Sequence, residues 1–159
     1  MAWYSLELVG REAHTGTTPM NRRADALLAA AKMIVETNNL VVTGELSERQ
    51  ARATIAVINS KPQSVNTIAG HVQMSLDLRS PHDSDIKILE SLCREKFDEI
   101  AKSMGVKFKM VNMWTSPAIQ FDKEAVQCVR EAVKEQGFSN ELLSGAGHDR
   151  YVFVSTYPL

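Results

Sequence analysis

An α+β fold is what this sequence predicts: a four-stranded antiparallel sheet with two helices on one of its faces. Three observations predict it. Four short stretches alternate apolar and polar residues with period two, as half-buried strands do. Two longer stretches repeat apolar residues at helical spacing. Their chain order is strand, helix, strand, strand, helix, strand, the ferredoxin-like βαββαβ arrangement. In the usual strand order of that arrangement the first and fourth strands are antiparallel neighbours, so the chain enters and leaves at one end of the sheet.

The elements follow in order. Tyr4, Leu6 and Leu8 alternate with Ser5 and Glu7 in the first strand. A polar loop runs from Gly10 to Pro19, where Thr18 is placed to cap a helix and Pro19 to begin it. Leu27, Ala31, Ile34 and Val35 keep helical spacing until Asn38-Asn39 is expected to end the run. Ala53, Ile55 and Val57 mark a second strand, broken by Lys61-Pro62. Val72, Met74, Leu76 and Leu78 form a third, whose other face carries Gln73, Ser75, Asp77 and Arg79. Pro81 and Asp83 announce a helix with Ile86, Leu89, Cys93, Phe97, Ile100 and Met104 on one stripe, and Gly105 is placed to terminate it. Val106, Phe108 and Met110 alternate with Lys107 and Lys109 in the fourth strand. This organisation assigns residues 1–115 to one domain. Residues 116–159 begin with a Ser116-Pro117 linker and hold a third helix, with Val126, Val129 and Val133 on one stripe, expected to end near Gly137. That segment is too short for a core of its own.

Composition excludes some classes of function. Hydrophobic residues make up 44% and charged residues 23%, enough apolar surface for a packed core rather than a disordered chain. A net charge of −1 gives little with which to neutralise phosphates, so nucleic acid is a poor partner. An RNA-binding sheet would also want exposed aromatics on its central strands, where the third strand offers Gln73, Ser75 and Asp77. No apolar run could span a bilayer. The first residues lack the layout of a secretory signal, and Cys93 and Cys128 both fall in helical patterns, so reduced thiols and a cytoplasmic protein are expected.

Three stretches carry a resemblance. AHTGTTPM followed by NRRADAL (residues 13–27), VNTIAGHVQMSLDLR (65–79) and SGAGHD (144–149) resemble, in the same order, the hydantoinase/carbamoylase family of di-metal amidohydrolases. Allantoate amidohydrolases, N-carbamoyl-amino-acid hydrolases and β-ureidopropionases belong to it. The resemblance implies a catalytic domain of α/β metallopeptidase type, interrupted by a ferredoxin-like lid that also dimerises. Residues 1–115 would then be the dimerisation and substrate-capping domain, and residues 116–159 a truncated segment of the catalytic one. In such enzymes two divalent ions, zinc or manganese, activate a water, and a glutamate acts as general base. Their ligands belong to segments before the lid and after SGAGHD, so this chain is expected to bind no metal and to be inactive alone. Arg150 departs from the family, which generally has a small residue there.

The resemblance also implies roles for four residues. His14 would polarise the scissile carbonyl or stabilise the oxyanion, in the active site of the partner subunit; alternatively it is an exposed loop histidine. Arg79 would clamp a substrate carboxylate through its planar guanidinium, or else simply pair with Asp77. Asn66, thirteen positions earlier, would give the same substrate an amide contact, or else be a turn residue. His148 would bind substrate or transition state rather than metal. His71 and His82 are read as structural or exposed, and Arg22 and Arg23 as a solvated face. Two assemblies are therefore in view: part of a hydrolase acting on a ureido acid, or a stand-alone dimerisation module without chemistry. In either, the second strand is the uncharged sheet edge, whereas Lys107 and Lys109 discourage pairing at the fourth. A homodimer through the second strand and first helix is expected.

Overall fold

The computed structural model describes residues 1–44 and 46–135. The chain forms two compact units, Met1–Ser116 and Pro117–Leu159. In the first, β1 (Ala2–Val9), β3 (Arg52–Lys61), β5 (His71–Arg79) and β6 (Lys107–Thr115) make one antiparallel sheet in the order β3-β5-β1-β6. Two-residue strands β2 (Ala13–His14) and β4 (Thr67–Ile68) form a separate ribbon. Helices α1 (Ala26–Val42) and α2 (Asp83–Ser103) pack on one face, which gives the expected ferredoxin-like βαββαβ topology.

Alternation decides which face is buried. Ala2, Tyr4, Leu6 and Leu8 of β1 and Val72, Met74, Leu76 and Leu78 of β5 all point into the core. They meet Ala26, Ala29, Ala30 and Met33 of α1 and Ile86, Leu89, Cys93, Phe97 and Ala101 of α2. Phe97 meets Phe108 of β6 edge-on at 5.8 Å between ring centroids, a favourable quadrupole geometry. Burial pushes the Cys93 thiol up to about 12, so it is a core group rather than a reactive one. The outer face is open, and Trp3 and Trp114 stack there at 4.8 Å. That pair lies on β1 and β6, outside the strand on which the sequence reading looked for aromatics.

Helix α2 matches its sequence pattern and ends as expected. Gly105 takes φ 64°, the Gly105 N–H donates to Lys102 O at 3.2 Å, and the Val106 N–H donates to Ala101 O at 2.9 Å. This doubly bonded cap needs a left-handed residue, which glycine supplies without strain.

Helix α1 departs from its sequence reading three times. It starts at Ala26, not Pro19, because the Asp25 carboxylate caps it, accepting from the Leu27 and Leu28 N–H groups at 3.0 Å each. Pro19 instead precedes a short 3₁₀ turn, Met20–Arg22. It also runs through Asn38-Asn39 to Val42, since asparagine costs only about 0.7 kcal/mol in a helix. Third, the buried stripe is Ala26, Ala29, Ala30, Met33 and Thr37, whereas Leu27, Ala31 and Val35 face outward. Apolar residues lie nearly all round this helix, so periodicity offers two stripes, and the small one lets the helix approach the sheet closely. Buried Thr37 is satisfied by donating to Met33 O at 2.8 Å.

Strand β3 holds a bulge that its alternating pattern conceals. The register slips between Ile55 and Val57, leaving Ala56 as the extra residue. Val57 therefore pairs with Ser75 on the outer face, and Ile58, paired with Met74, takes the place on the helix face that the alternation assigned to Val57. The displaced Val57 N–H donates to Ser75 Oγ at 3.2 Å.

In the second unit, α3 (Lys123–Glu135) carries Val126, Val129 and Val133, and Val129 is exposed. Its first turn is capped by Asp122, whose carboxylate accepts from the Ala125 N–H at 2.8 Å. The predicted stop near Gly137 lies outside the described residues. No helix among the described residues is long and apolar enough to cross a membrane.

Candidate functional site

At the end of the sheet where β1 finishes and β5 begins, three segments are bound to one another through their main chains. The Gly10 N–H donates to Gly70 O at 2.8 Å, and the Gly70 N–H to Lys61 O at 3.0 Å. Arg11 N–H donates to Ala24 O at 2.9 Å, and Ala26 N–H to Ala69 O at 3.1 Å. The approach is close enough to demand glycine. A Cβ on Gly10 would lie 2.1 Å from Ala24 O, and one on Gly70 would lie 2.6 Å from Glu12 Cγ and 3.0 Å from Glu12 N.

This platform carries the β2–β4 ribbon. Ala13 is opposite Ile68, which is buried, and His14 is opposite Thr67. The Thr15 N–H then donates to Asn66 O at 2.9 Å, so Asn66, just before β4, is brought next to the end of β2 where His14 lies. A turn closes after His14, with the Thr18 N–H donating to His14 O at 3.1 Å. Within that turn the Gly16 N–H donates to His14 Nδ1 at 3.0 Å. A nitrogen that accepts cannot carry the proton of the neutral ring, so this bond puts the proton on Nε2. His14 is exposed, and among the described residues its Nε2 has no partner. Asn66 is arranged in a similar way: Ser64 and Thr67 hydroxyls donate to its Oδ1 at 2.8 and 3.2 Å, leaving the amide N–H groups as its outward function. Each of the two side chains offers a hydrogen-bond donor of the kind an oxygen-rich ligand accepts.

Arg79 is elsewhere. It ends β5, eight residues beyond His71, which at about 3.3 Å per residue places it roughly 25 Å from the ribbon. Its Nε donates to both Asp77 oxygens at 3.1 and 3.0 Å, and its Nη2 to Oδ2 at 2.7 Å. That hydrogen bonding to Asp77 holds the guanidinium pKa above its usual value. The pairing with Asp77 that the sequence offered as the plainer reading is thus present. Arg79 also stands at the end where the chain enters β1 and leaves β6, Ala2 being opposite both Leu78 and Thr115. The structure therefore brings His14 and Asn66 together and sets Arg79 apart from both. His148 lies outside the described residues, as does Arg150.

Two features of this end escaped the sequence reading. Arg23 is not a solvated side chain: it is half-buried, and donates from Nε to Thr18 O at 3.0 Å and from Nη2 to Thr15 O at 2.7 Å. Its signal was the loop ahead of it, rich in carbonyls with no helix to absorb them. The paired glycines Gly10 and Gly70 were the other clue, since glycine next to a strand end marks close backbone approach. Arg22 is exposed, as expected, and its carbonyl accepts from the Arg11 guanidinium. His71 contacts Glu7 at 3.0 Å on the outer face, and His82 precedes α2.

Among the described residues no three His, Cys, Asp or Glu side chains are grouped so as to hold a metal ion. The arrangement offers hydrogen-bond donors from His14 and Asn66. It does not by itself supply a nucleophile.

Comparison with known proteins agrees with this architecture. The peptidase dimerisation domain matches residues 1–105. The chain belongs to that family. It is 36% identical over 141 residues to an N-carbamoyl-L-amino-acid amidohydrolase of Paenarthrobacter aurescens, covering 88% of this chain and 34% of the relative. It is 30% identical over 156 residues to an allantoate amidohydrolase of Bacillus subtilis, covering 98% of this chain and 37% of that one. A crystal structure of a hydantoinase/carbamoylase family amidase from Burkholderia ambifaria superposes with a TM-score of 0.90 at 35% identity, over 99% of this chain and 38% of the other. The chain thus spans about a third of the length of each of those relatives.

Proposed function

We propose that this chain is the dimerising, substrate-capping part of a metal-dependent amidohydrolase that cleaves the C–N bond of an N-carbamoyl or ureido acid, or of allantoate. The observation that carries the reading is the ribbon that sets His14 beside Asn66 with an outward Nε2–H donor. A donor of that kind suits a carbonyl oxygen that becomes negative in the transition state. The similarity to carbamoylases and an allantoate hydrolase supports the substrate class.

The geometry adds a condition. A small acid cannot bridge roughly 25 Å, so His14 and Arg79 of one chain cannot serve the same molecule. A two-fold dimer resolves this: Arg79 caps the cleft of its own subunit, at the end where the lid joins it, while His14 and Asn66 reach the partner's cleft. Exposed apolar side chains beside the sheet edge support such a dimer. Leu27 and Leu28 of α1 are 42% exposed and Val35 and Val42 60%, beside an edge strand whose Ile58 is 43% exposed. Pairing β3 with its two-fold copy would extend the sheet and cover these side chains.

Subunit mixing tests the arrangement. Residues 1–115 are placed in an N-carbamoyl-amino-acid hydrolase in exchange for its own lid, and His14→Ala and Arg79→Ala versions are made. Each alone should lose most activity. Unfolded and refolded together, they should recover about a quarter of the unmutated rate, because random reassortment leaves one intact site in half of the dimers. No recovery on mixing, with dimers present, would mean that both residues act within one chain or not at all. In the isolated chain, light scattering should show a dimer, and Thr54→Pro in β3 should make it monomeric.

A further inference from the structure

Arg23 is bonded to the same peptide group that holds the His14 ring. The Thr15 carbonyl and the Gly16 N–H belong to one planar trans peptide and point in opposite directions. Arg23 Nη2 donates to that carbonyl at 2.7 Å, and the N–H donates to His14 Nδ1 at 3.0 Å. Arg23 Nε, on the same edge of the guanidinium, donates to Thr18 O at 3.0 Å. The next link closes the turn, because the Thr18 N–H donates to His14 O at 3.1 Å.

We propose that Arg23 is a positioning residue for His14: through the Thr15–Gly16 peptide it holds the imidazole in one orientation and in the Nε2–H tautomer. Two physical effects act together. The fork of Nε–H and Nη2–H fixes two carbonyl oxygens at a set spacing, so the peptide plane cannot rotate and carry its N–H away from the ring. The cation on the carbonyl also polarises the peptide, which makes its N–H a stronger donor to Nδ1. Gly16 is suited to its place, since a Cβ there would come within 3.2 Å of His14 Cε1. Arg23 does not touch a ligand; it acts through His14. Lysine, with a single ammonium and no fork, cannot hold both carbonyls in the same plane.

This inference rests on the reading of His14 as the donor to substrate, but its test does not require activity. Long-range proton–nitrogen correlation spectra of the ¹⁵N-labelled 159-residue chain in alkaline buffer report which ring nitrogen carries the proton. Comparison with His14→Gln identifies the His14 signals. The unmutated chain should show the Nε2–H tautomer in clear excess. In Arg23→Lys and Arg23→Ala the Nε2–H to Nδ1–H ratio should fall roughly 2- to 10-fold, the factor one hydrogen bond supplies. His71 and His82 should keep their ratios, which separates a local effect from a general loosening. An unchanged His14 ratio in a folded Arg23→Lys or Arg23→Ala chain overturns the proposal. Should the alanine variant not fold, the lysine variant alone decides. A chimaera that keeps full activity after His14→Ala would instead remove the proposed role of His14 and leave the tautomer result standing.

Discussion

At the end of the sheet where Arg79 lies, charged side chains hold the structure; at the end where His14 lies, the main chain does. Arg79 is fixed by Asp77, and nearby Arg49 reaches Asp85 at 3.1 Å while the Ser80 hydroxyl donates to the same carboxylate at 2.9 Å. Asp77 and Arg79 project from a regular strand and Asp85 from the first turn of α2, while Ser80 follows β5 and Arg49 ends a short 3₁₀ turn, Ser47–Arg49. His14 instead stands on four backbone hydrogen bonds between segments that approach within a glycine's width. The first design feels pH and salt and tolerates small changes of shape. The second rests on backbone bonds, with the Arg23 guanidinium bracing the turn, and at Gly10 cannot admit a single extra carbon.

The sharpest way to break that contrast is Gly10→Ala. The added Cβ would overlap Ala24 O, a backbone atom that is itself bonded to Arg11 N–H, so nothing flexible can give way. A loss of about 3 kcal/mol is expected, at the upper end of overpacking costs. For a domain of this size that lowers the melting temperature by roughly 10 °C. Thermal unfolding by circular dichroism checks it, and an unchanged midpoint would show that the platform can spread.

Arg79→Ala should act on ligand more than on stability. Its ion pair with Asp77 is about one-third exposed on both sides, and pairs of that kind contribute roughly 0–1 kcal/mol. In the chimaeric hydrolase the substitution should cost about 1.5–3 kcal/mol in kcat/KM for substrates bearing a free carboxylate. Amide-capped analogues should lose much less. Equal losses for both would assign Arg79 to structure and leave the carboxylate to another group.

The two ends were not equally legible in the sequence. Arg79 sits in a nine-residue strand whose alternation is unbroken, so its face and its partner Asp77 could be read directly. The topology was legible for the same reason, and the cap at Gly105 because one residue type meets its demand. The His14 platform left no periodic trace. Its strands are two residues long, and its bonds join backbones, which every sequence supplies alike. Arg23 was misread because the only hint was the loop ahead of it, whose carbonyls find no helix, and the arginine's own neighbours in sequence look solvated. The start of α1 was misread because Thr18-Pro19 and Asp25 are both acceptable caps, and tertiary bonds at Ala24 and Ala26 chose between them. The bulge at Ala56 was invisible among residues that all suit a strand.

A second glycine at the His14 end refines the contrast. Gly105 has room for a Cβ, its nearest neighbour being Ala24 Cβ at 4.0 Å, but it sits at φ 64°. Gly105→Ala should therefore cost only the left-handed penalty, about 1 kcal/mol, or roughly 3–4 °C. Gly10 and Gly105 separate lack of space from backbone strain at one end of one sheet. Similar losses at both would mean that the close approach at Gly10 is softer than its distances imply.

The smallest effect expected concerns acid, and it belongs to the Arg79 end. Burial of Asp85 acts to raise its pKa, but the bonds from Ser80 and Arg49 outweigh it and hold the carboxyl below its usual value. A lowered folded value means that the unfolded chain binds the proton more readily. The stabilisation is therefore complete above the ordinary aspartate value of about 3.9 and is lost as pH falls through the folded one. The loss should be modest, because the Arg49 side chain is 55% exposed and screened by water. Urea unfolding of the unmutated chain and of Asp85→Asn, compared between neutral pH and about pH 3, isolates it. The difference between the two proteins should shrink on acidification. Hydrogen exchange should show the amides around Ser80 to Ile86 losing protection while Thr15 and Thr18 keep theirs, since their N–H groups donate to the backbone carbonyls of Asn66 and His14. Parallel loss at both ends would mean that the sheet transmits the change, and that its two ends are not held independently.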